Sequence, residues 1–270
     1  MHWLAHGERE LPSTDDWLSE RESAHVATIR FTKRRSEYLT RRWTAKRAVA
    51  TVLGLDRTPS SLAAVEIRNR ETGAPYVEVD GRPAPVDLSL SDRAGWAVCL
   101  VGAPGGAATG SLGIDLEVVE PRTDRFVVDF FTAVEAEYVL GLPAGERRNE
   151  AANLIWSAKE AALKLQQVGL RADTRTVEVA LDAAVRSDGW SALTITGATG
   201  DPMTGWWRRD GVFLSTIALA DERPPPTPLA GGADLAGAEP LHSWIDRPLV
   251  GDDGARVQGR AMPRSSASTT

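Results

Sequence analysis

The feature that most constrains this chain is the run from about Glu146 to Gln167, which contains no glycine, no proline and few β-branched residues. That composition favours a helix, and Gly169 is placed to stop it. Its inward positions are Leu154, Ile155, Ala158, Ala162 and Leu165. Glu160 and Lys164, four apart, then share a face, roughly 5–6 Å apart at Cβ. Upstream, Gly113-Ile114-Asp115-Leu116-Glu117-Val118 alternates acids with aliphatics. A strand there sends Asp115 and Glu117 to one face and Ile114, Leu116 and Val118 to the other. Brought together, strand and helix crowd three carboxylates and one ammonium into a small volume. Such carboxylates repel one another unless a divalent cation sits among them. Hard oxygen donors, with no His or Cys nearby in sequence, point to magnesium rather than zinc. Singly, each element has an ordinary reading. A solvated i,i+4 bridge is worth about 0.3–0.5 kcal/mol, and alternating acids can simply be the polar face of a half-buried strand. The conjunction carries the chemistry.

With 270 residues and 42% hydrophobic content, the chain can bury a substantial core as one large domain or two halves. A net charge of −6 argues against general nucleic-acid affinity. The single cysteine, Cys99, lies in the apolar run "GWAVCLV" and reads as core filler. One cysteine excludes an intramolecular disulfide framework and fits a reducing cytosol. The start "MHWLAHGEREL" is too short and polar for a signal peptide. No stretch approaches the roughly 18 uncharged apolar residues of a membrane span. A cytoplasmic protein without a membrane partner is expected.

In chain order, residues 1–16 read as polar and loosely held apart from Trp3 and Leu4. A short helix is expected from Trp17 to His25, capped by Thr14 or Asp15. An amphipathic helix follows from Lys33 to Leu53, with Gly54 as its C-cap. Its apolar side is Leu39, Trp43, Val49, Ala50 and Leu53; Arg35, Arg42, Lys46 and Arg47 crowd the remainder. That basic surface reads either as a solvated face or as a phosphate site. A helix-turn-helix would want a second short helix close behind, which "DRTPSSLAAVEIRN" does not offer, so a nucleic-acid reading ranks last. "RNRETGAPYVEVDGRP" reads as a connecting loop, and "VDLSLSDRAGWAVCLV" as two strands around a turn at Asp92 to Gly95. Residues 102–110 form a Gly/Ala-rich joint. Thr132 with Glu135 makes a capping box opening a helix to Leu140. Strands are expected at 176–181 and 191–196, then a hairpin turning at Asp210-Gly211, with Trp206 and Trp207 packed in its sheet. After Asp221 the Pro/Gly/Ala/Ser-rich sequence predicts a disordered tail.

Read together, Gly113-Ile114-Asp115-Leu116-Glu117 and Trp156-Ser157-Ala158-Lys159-Glu160-Ala161-Ala162-Leu163-Lys164 resemble a known family. It is the 4′-phosphopantetheinyl transferase superfamily, in its larger single-chain (Sfp-like) type, marked by a G-I/V-D-x-E strand and a later W-S-x-K-E-x-x-x-K helix. Phe130-Phe131-Thr132 and Glu135 resemble the family's FFS/T…E segment, and the resemblance spans roughly residues 18–220. It implies an α+β fold built as a pseudo-twofold pair of similar α/β halves. Here these would be 1–112, with the coenzyme contacts, and 113–221, with the metal and catalytic helix, before the tail 222–270. It implies Mg-dependent transfer of 4′-phosphopantetheine from coenzyme A to a serine of an acyl or peptidyl carrier protein. The pathway would be polyketide, nonribosomal peptide or fatty acid biosynthesis. By resemblance, the metal ligands are Asp115, Glu117 and Glu160, and the catalytic residues are Glu160, Lys164 and Asp115. The coenzyme contacts are His25, Arg42, Arg70, Ser89, Asp115 and Lys164.

Three positions depart from the family pattern. Ala74 stands at the lysine of a "GKP" turn, with Arg68 or Arg70 near enough to replace its charge. Leu90 stands at the histidine of "N-x-S-H-S-G", and His25 where a Lys or Arg is usual. These departures support an alternative: a weakened member that docks carrier proteins without efficient transfer. Two internal halves need no second chain to complete a site, so a monomer is expected. The resemblance places carrier docking near residues 126–142.

Overall fold

The N-terminal residues, expected to be loose, form an inner strand. β1 (His2–Gly7) pairs antiparallel with β6 (Trp96–Gly102) and parallel with the two-residue β12 (Thr227–Pro228). With β5 (Asp87–Arg93) beyond β6, the first sheet has the order β12-β1-β6-β5. Both faces of β1 are covered: Trp3 and Ala5 join one apolar cluster and Leu4 another. A strand buried on both sides shows no polar alternation, which is why its sequence reads as irregular. Described here are residues 1–102, 111–168, 172–185, 189–197 and 202–241 of a computed structural model; the expected Gly/Ala joint at 103–110 and the stop at Gly169 lie outside them. The described residues form a mixed α+β fold with three sheets and six α-helices.

Helix α1 (Glu20–Thr28) starts later than expected because Ser19 and Glu22 make a capping box. The Glu22 N–H donates to Ser19 Oγ at 3.2 Å, and the Ser19 N–H to the Glu22 carboxylate at 3.1 Å. α2 (Thr32–Leu53) ends as expected at Gly54, whose φ of +68° suits a residue without a Cβ. A short helix does follow it: α3 (Pro59–Ala64), capped by Thr58, passes directly into β2 (Val65–Asn69). The stretch expected to be a loop is a small sheet, in which β2 pairs with β3 (Pro75–Val79) and β3 with β4 (Arg82–Pro83). Val65, Ile67 and Val77 point from it into the core beneath α2, while the alternate charged residues face outward.

The second sheet runs β7 (Leu112–Val118), β11 (Phe213–Leu219), β10 (Pro202–Asp210), β9 (Ser191–Thr196), β8 (Glu178–Val185), every neighbour antiparallel. Ile114, Leu116 and Val118 face one apolar cluster, as the alternation predicts. The β10–β11 turn falls one residue later than expected: Asp210 still pairs with Phe213, and Gly211, at φ +60°, leads the turn. α4 (Asp124–Phe130) and α5 (Ala133–Gly141) precede α6 (Glu146–Leu165), and α5 carries the expected Thr132–Glu135 capping box. The expected inward residues of α6, Leu154, Ile155, Ala158, Ala162 and Leu165, are all buried. Cys99 is fully buried.

Residues 222–241, expected to be disordered, pack against the first sheet. The N–H groups of Leu229 and Ala233 donate to the carbonyls of Trp3 and Ala5, and Leu235 is buried. Composition misled here because backbone pairing to β1, not side-chain periodicity, orders the segment. Side chains join the two large sheets. Ser89 Oγ of β5 accepts the Ile114 N–H of β7 at 3.0 Å, and the Asp87 carboxylate accepts the Ser111 N–H and hydroxyl at 3.2 and 3.0 Å. No helix among the described residues is long and apolar enough to cross a membrane.

Candidate active site

At Gly113, β7 approaches α6 more closely than any side chain permits. A Cβ there would lie 2.0 Å from the Ala161 carbonyl oxygen. This contact lets Asp115 reach α6 directly. Asp115 Oδ2 accepts a hydrogen bond from Ser157 Oγ at 2.8 Å. Its Oδ1 accepts from Ser91 Oγ at 2.8 Å and from Lys164 Nζ at 2.7 Å. Lys164 Nζ donates also to Ser91 Oγ at 2.9 Å and to the Ile114 carbonyl at 3.0 Å, so the ammonium is held against both sheets. Glu117 accepts from Trp156 Nε1 and Arg122 Nη2, each at 3.1 Å, and pairs with Arg93 at 3.2 Å.

Glu160 differs from both. Its Oε1 is buried without a hydrogen-bond partner. Burial first, then the negative charge of Asp115, pushes its carboxyl up to about 7 against the pull of Lys164. Glu117 is also raised, by burial and then by Asp115, while Arg93 and Arg122 oppose the shift. The acids therefore sit at unequal readiness: one aspartate in an ion pair, one glutamate between two arginines, and one glutamate poised to exchange a proton near neutral pH.

Lys164 also borders an open cleft of about 810 Å³ between α1, α2, the small sheet and β5. Its wall carries His25, Arg41, Arg42, Arg68 and Arg70, with Ser89 and Leu90 from β5. Arg42 lies 4.6 Å over the Tyr38 ring and donates to Asn69 Oδ1 at 3.4 Å. Arg70 lies 5.1 Å over the Tyr76 ring. Arg68 is paired with Glu78 at 2.8 Å, and Arg41 with Asp92. A wall so rich in guanidinium groups suits phosphates.

The structure thus brings Asp115, Glu117, Glu160 and Lys164 together, and lines the cleft with His25, Arg42, Arg70, Ser89 and Lys164. Asp115 meets the cleft through Lys164 and is not part of its wall. Ala74 and Leu90 do line it, so neither position offers a charge. The Ser89 hydroxyl is engaged by the Ile114 N–H, and it is Ser91 that touches both Asp115 and Lys164. Sequence reasoning missed the roles of Ser91, Ser157, Arg93 and Arg122. For two of them the signal was present: Ser91 shares a strand face with Ser89, and Ser157 lies three before Glu160 and seven before Lys164, on one helix face.

Among the described residues, no group of three or more His, Cys, Asp or Glu side chains is arranged to hold a metal ion. The donor chemistry still fits a hard cation, since Glu160 keeps a buried carboxylate oxygen with no partner among mutually repelling acids. Asp115 and Glu117 are meanwhile engaged by Lys164 and by Arg93 and Arg122.

A search of curated proteins finds no match to this chain. A family model does match part of it, over residues 111–195, which include β7, α4, α5, α6, β8 and nearly all of β9. The matched segment holds Asp115, Glu117, Glu160 and Lys164, and stops short of the cleft wall formed by α1, α2 and the small sheet. The family that this segment matches is the 4′-phosphopantetheinyl transferase superfamily.

Proposed function

We propose that this protein is a magnesium-dependent, Sfp-like 4′-phosphopantetheinyl transferase. It would move phosphopantetheine from coenzyme A to a serine of an acyl or peptidyl carrier protein. The observation that carries the reading is the ammonium of Lys164, 2.7 Å from Asp115 and on the border of a guanidinium-lined cleft, with the unpartnered carboxylate oxygen of Glu160 on the same helix. Arg42, His25 and Arg70 bind the phosphates of the coenzyme. Glu160, with its carboxyl near 7, takes the proton of the carrier serine. The serine oxygen then bonds to phosphorus as the pyrophosphate bond breaks, and 3′,5′-ADP leaves with the electron pair. Lys164, turning one N–H from Ser91, donates to the phosphoryl oxygen on which charge builds. A magnesium ion held by Asp115, Glu117 and Glu160 would add neutralising charge at the pyrophosphate.

The two-half architecture belongs to the same reading, with 1–112 supplying the coenzyme wall and 113–221 the acids. Val128, Phe130, Val134 and Tyr138 are exposed on α4 and α5, which supports carrier docking within residues 126–142. The alternative, docking without efficient transfer, is favoured by the uncharged Ala74 and Leu90 in the cleft wall. Intact-mass analysis of an apo carrier protein incubated with this protein, coenzyme A and Mg²⁺ decides between them. A gain of one phosphopantetheine, lost in Glu160→Gln, supports transfer. Carriers from several pathway types that bind yet gain no mass support docking alone.

A further inference from the structure

Glu22 is almost completely buried at the back of the cleft, and four groups converge on its carboxylate. Oε1 accepts the Ile67 N–H of β2 at 3.2 Å and lies 3.6 Å from Arg42 Nε of α2. Oε2 accepts the Ser19 N–H at the start of α1 at 3.1 Å and pairs with Lys46 of α2 at 2.5 Å. The Lys46 ammonium is itself buried and donates to the carbonyls of Trp17 and Leu62, each at 3.0 Å. One carboxylate therefore ties together α1 and α2, which carry His25 and Arg42 into the cleft, and β2, whose last residue precedes Arg70.

The device recurs. Glu135 closes the capping box of α5 with Thr132, accepts the Val179 N–H at 2.7 Å, and pairs with the buried Lys159 at 2.8 Å. Lys159 donates to the carbonyls of Thr174 and Val177. Thr132, Glu135, Trp156 and Lys159 each lie 113 residues after Ser19, Glu22, Trp43 and Lys46. The second clamp lacks one feature of the first. Among the described residues, no arginine pairs with Glu135, whereas Glu22 also faces Arg42, whose buried Nε has no hydrogen-bond partner.

We infer that Glu22 is a positioning residue for coenzyme binding, and that it acts by orienting Arg42. Its charge fixes the guanidinium between Tyr38 and Asn69, so that the side chain stands in the cleft wall already ordered. Preorganisation of this kind lowers the cost of ordering a long side chain on binding. The inference rests on the proposed coenzyme site.

The test is a double-mutant cycle on coenzyme A affinity, read by calorimetry on wild type, Glu22→Gln, Arg42→Ala and the double variant, with transfer kinetics alongside. Glu22→Gln should weaken binding by about tenfold and raise KM, leaving kcat at saturating coenzyme within about twofold. In the Arg42→Ala background the Glu22→Gln change should cost nothing further. If Glu22→Gln folds poorly, the charge-free pair Glu22→Gln with Lys46→Met keeps the packing and should show the same loss. Equal affinity in Glu22→Gln and wild type overturns the inference, and so does a penalty that persists in full without Arg42. Wild type that fails to bind coenzyme A instead overturns the reading of the cleft.

Discussion

Helices α2 and α6 lie on their sheets with a shared inner sequence, Trp43-Thr44-Ala45-Lys46 in one and Trp156-Ser157-Ala158-Lys159 in the other, and they do opposite electrostatic work. In each, the lysine is buried and spent on a glutamate from a neighbouring capping box. Those residues are framework. What differs is which positions reach the cleft. α2 turns Arg41 and Arg42 to it, one turn before the lysine, whereas α6 turns Lys164 to it, one turn after Glu160. The strands beneath differ in the same sense: β7 brings Asp115 and Glu117 to α6, while β1 brings His6 beside Trp43. A basic wall and an acidic floor can thus be built on one local plan by changing the residues next to an invariant pair of contacts.

The comparison predicts the largest loss at Glu160. Glu160→Gln should reduce kcat about 10²–10⁴-fold and weaken coenzyme affinity far less, since the proposed reading makes Glu160 the base and only one of three metal ligands. Transfer assays beside calorimetry separate the two; a loss of affinity equal to the loss of rate would refute the division of labour. Next, Lys159→Met should destabilise the fold by about 3–5 kcal/mol, because it leaves the buried Glu135 carboxylate without a cation, and Lys46→Met by less, because Arg42 still faces Glu22. Denaturant midpoints check this, and a loss in Lys46→Met as large as that in Lys159→Met would show that Arg42 does not compensate Glu22. Gly113→Ala should cost about 3 kcal/mol and depress transfer, since β7 must back away from Ala161. β1 has no such contact: its one glycine, Gly7, meets Trp96 and not α2.

Acid should act mainly on the first sheet through His6. Burial, and after it the charge of Arg47, lowers the His6 imidazole from 6.5 to about 4. Between these values the unfolded chain binds the proton and the folded chain does not. Stability is therefore full above pH 6.5 and declines as pH falls towards 4, by at most about 3 kcal/mol. His6→Gln should flatten that part of the stability profile; an unchanged slope would place the acid sensitivity elsewhere. The smallest effect is expected for Arg70→Ala, about 1 kcal/mol in coenzyme affinity, because this arginine stacks on Tyr76 near the cleft rim.

How much of this was legible in sequence follows from where the information lies. α2, α5 and α6 could be read because their signals are local: Gly54 as a stop, the Thr132–Glu135 box, and an apolar stripe from Leu154 to Leu165. β7 declared itself by alternation, and with it Asp115 and Glu117. β1 and the small sheet were missed, the first because it is buried on both faces, the second because short strands rich in Glu and Arg read as turns. The Glu135 carboxylate could not be placed from sequence beyond its capping box, and the Glu22 box was missed, the expected caps being Thr14 or Asp15. Their partners Lys46, Ile67, Lys159 and Val179 come from distant elements. Ser91 was visible as a residue but not as a contact, since its role depends on β5 and β7 lying side by side.

The pairing of Leu229 and Ala233 with β1 also bears on the order in which the molecule can be made. The second strand edge of β1 waits for residues synthesised more than two hundred positions later. Until they leave the ribosome, the carbonyls of Trp3 and Ala5 stand open beside an apolar surface, the kind of exposed border that recruits other chains. A chain ended at Asp221 would keep every residue of the proposed chemistry and leave this border uncovered, so self-association without loss of the site residues is the expected result of that truncation.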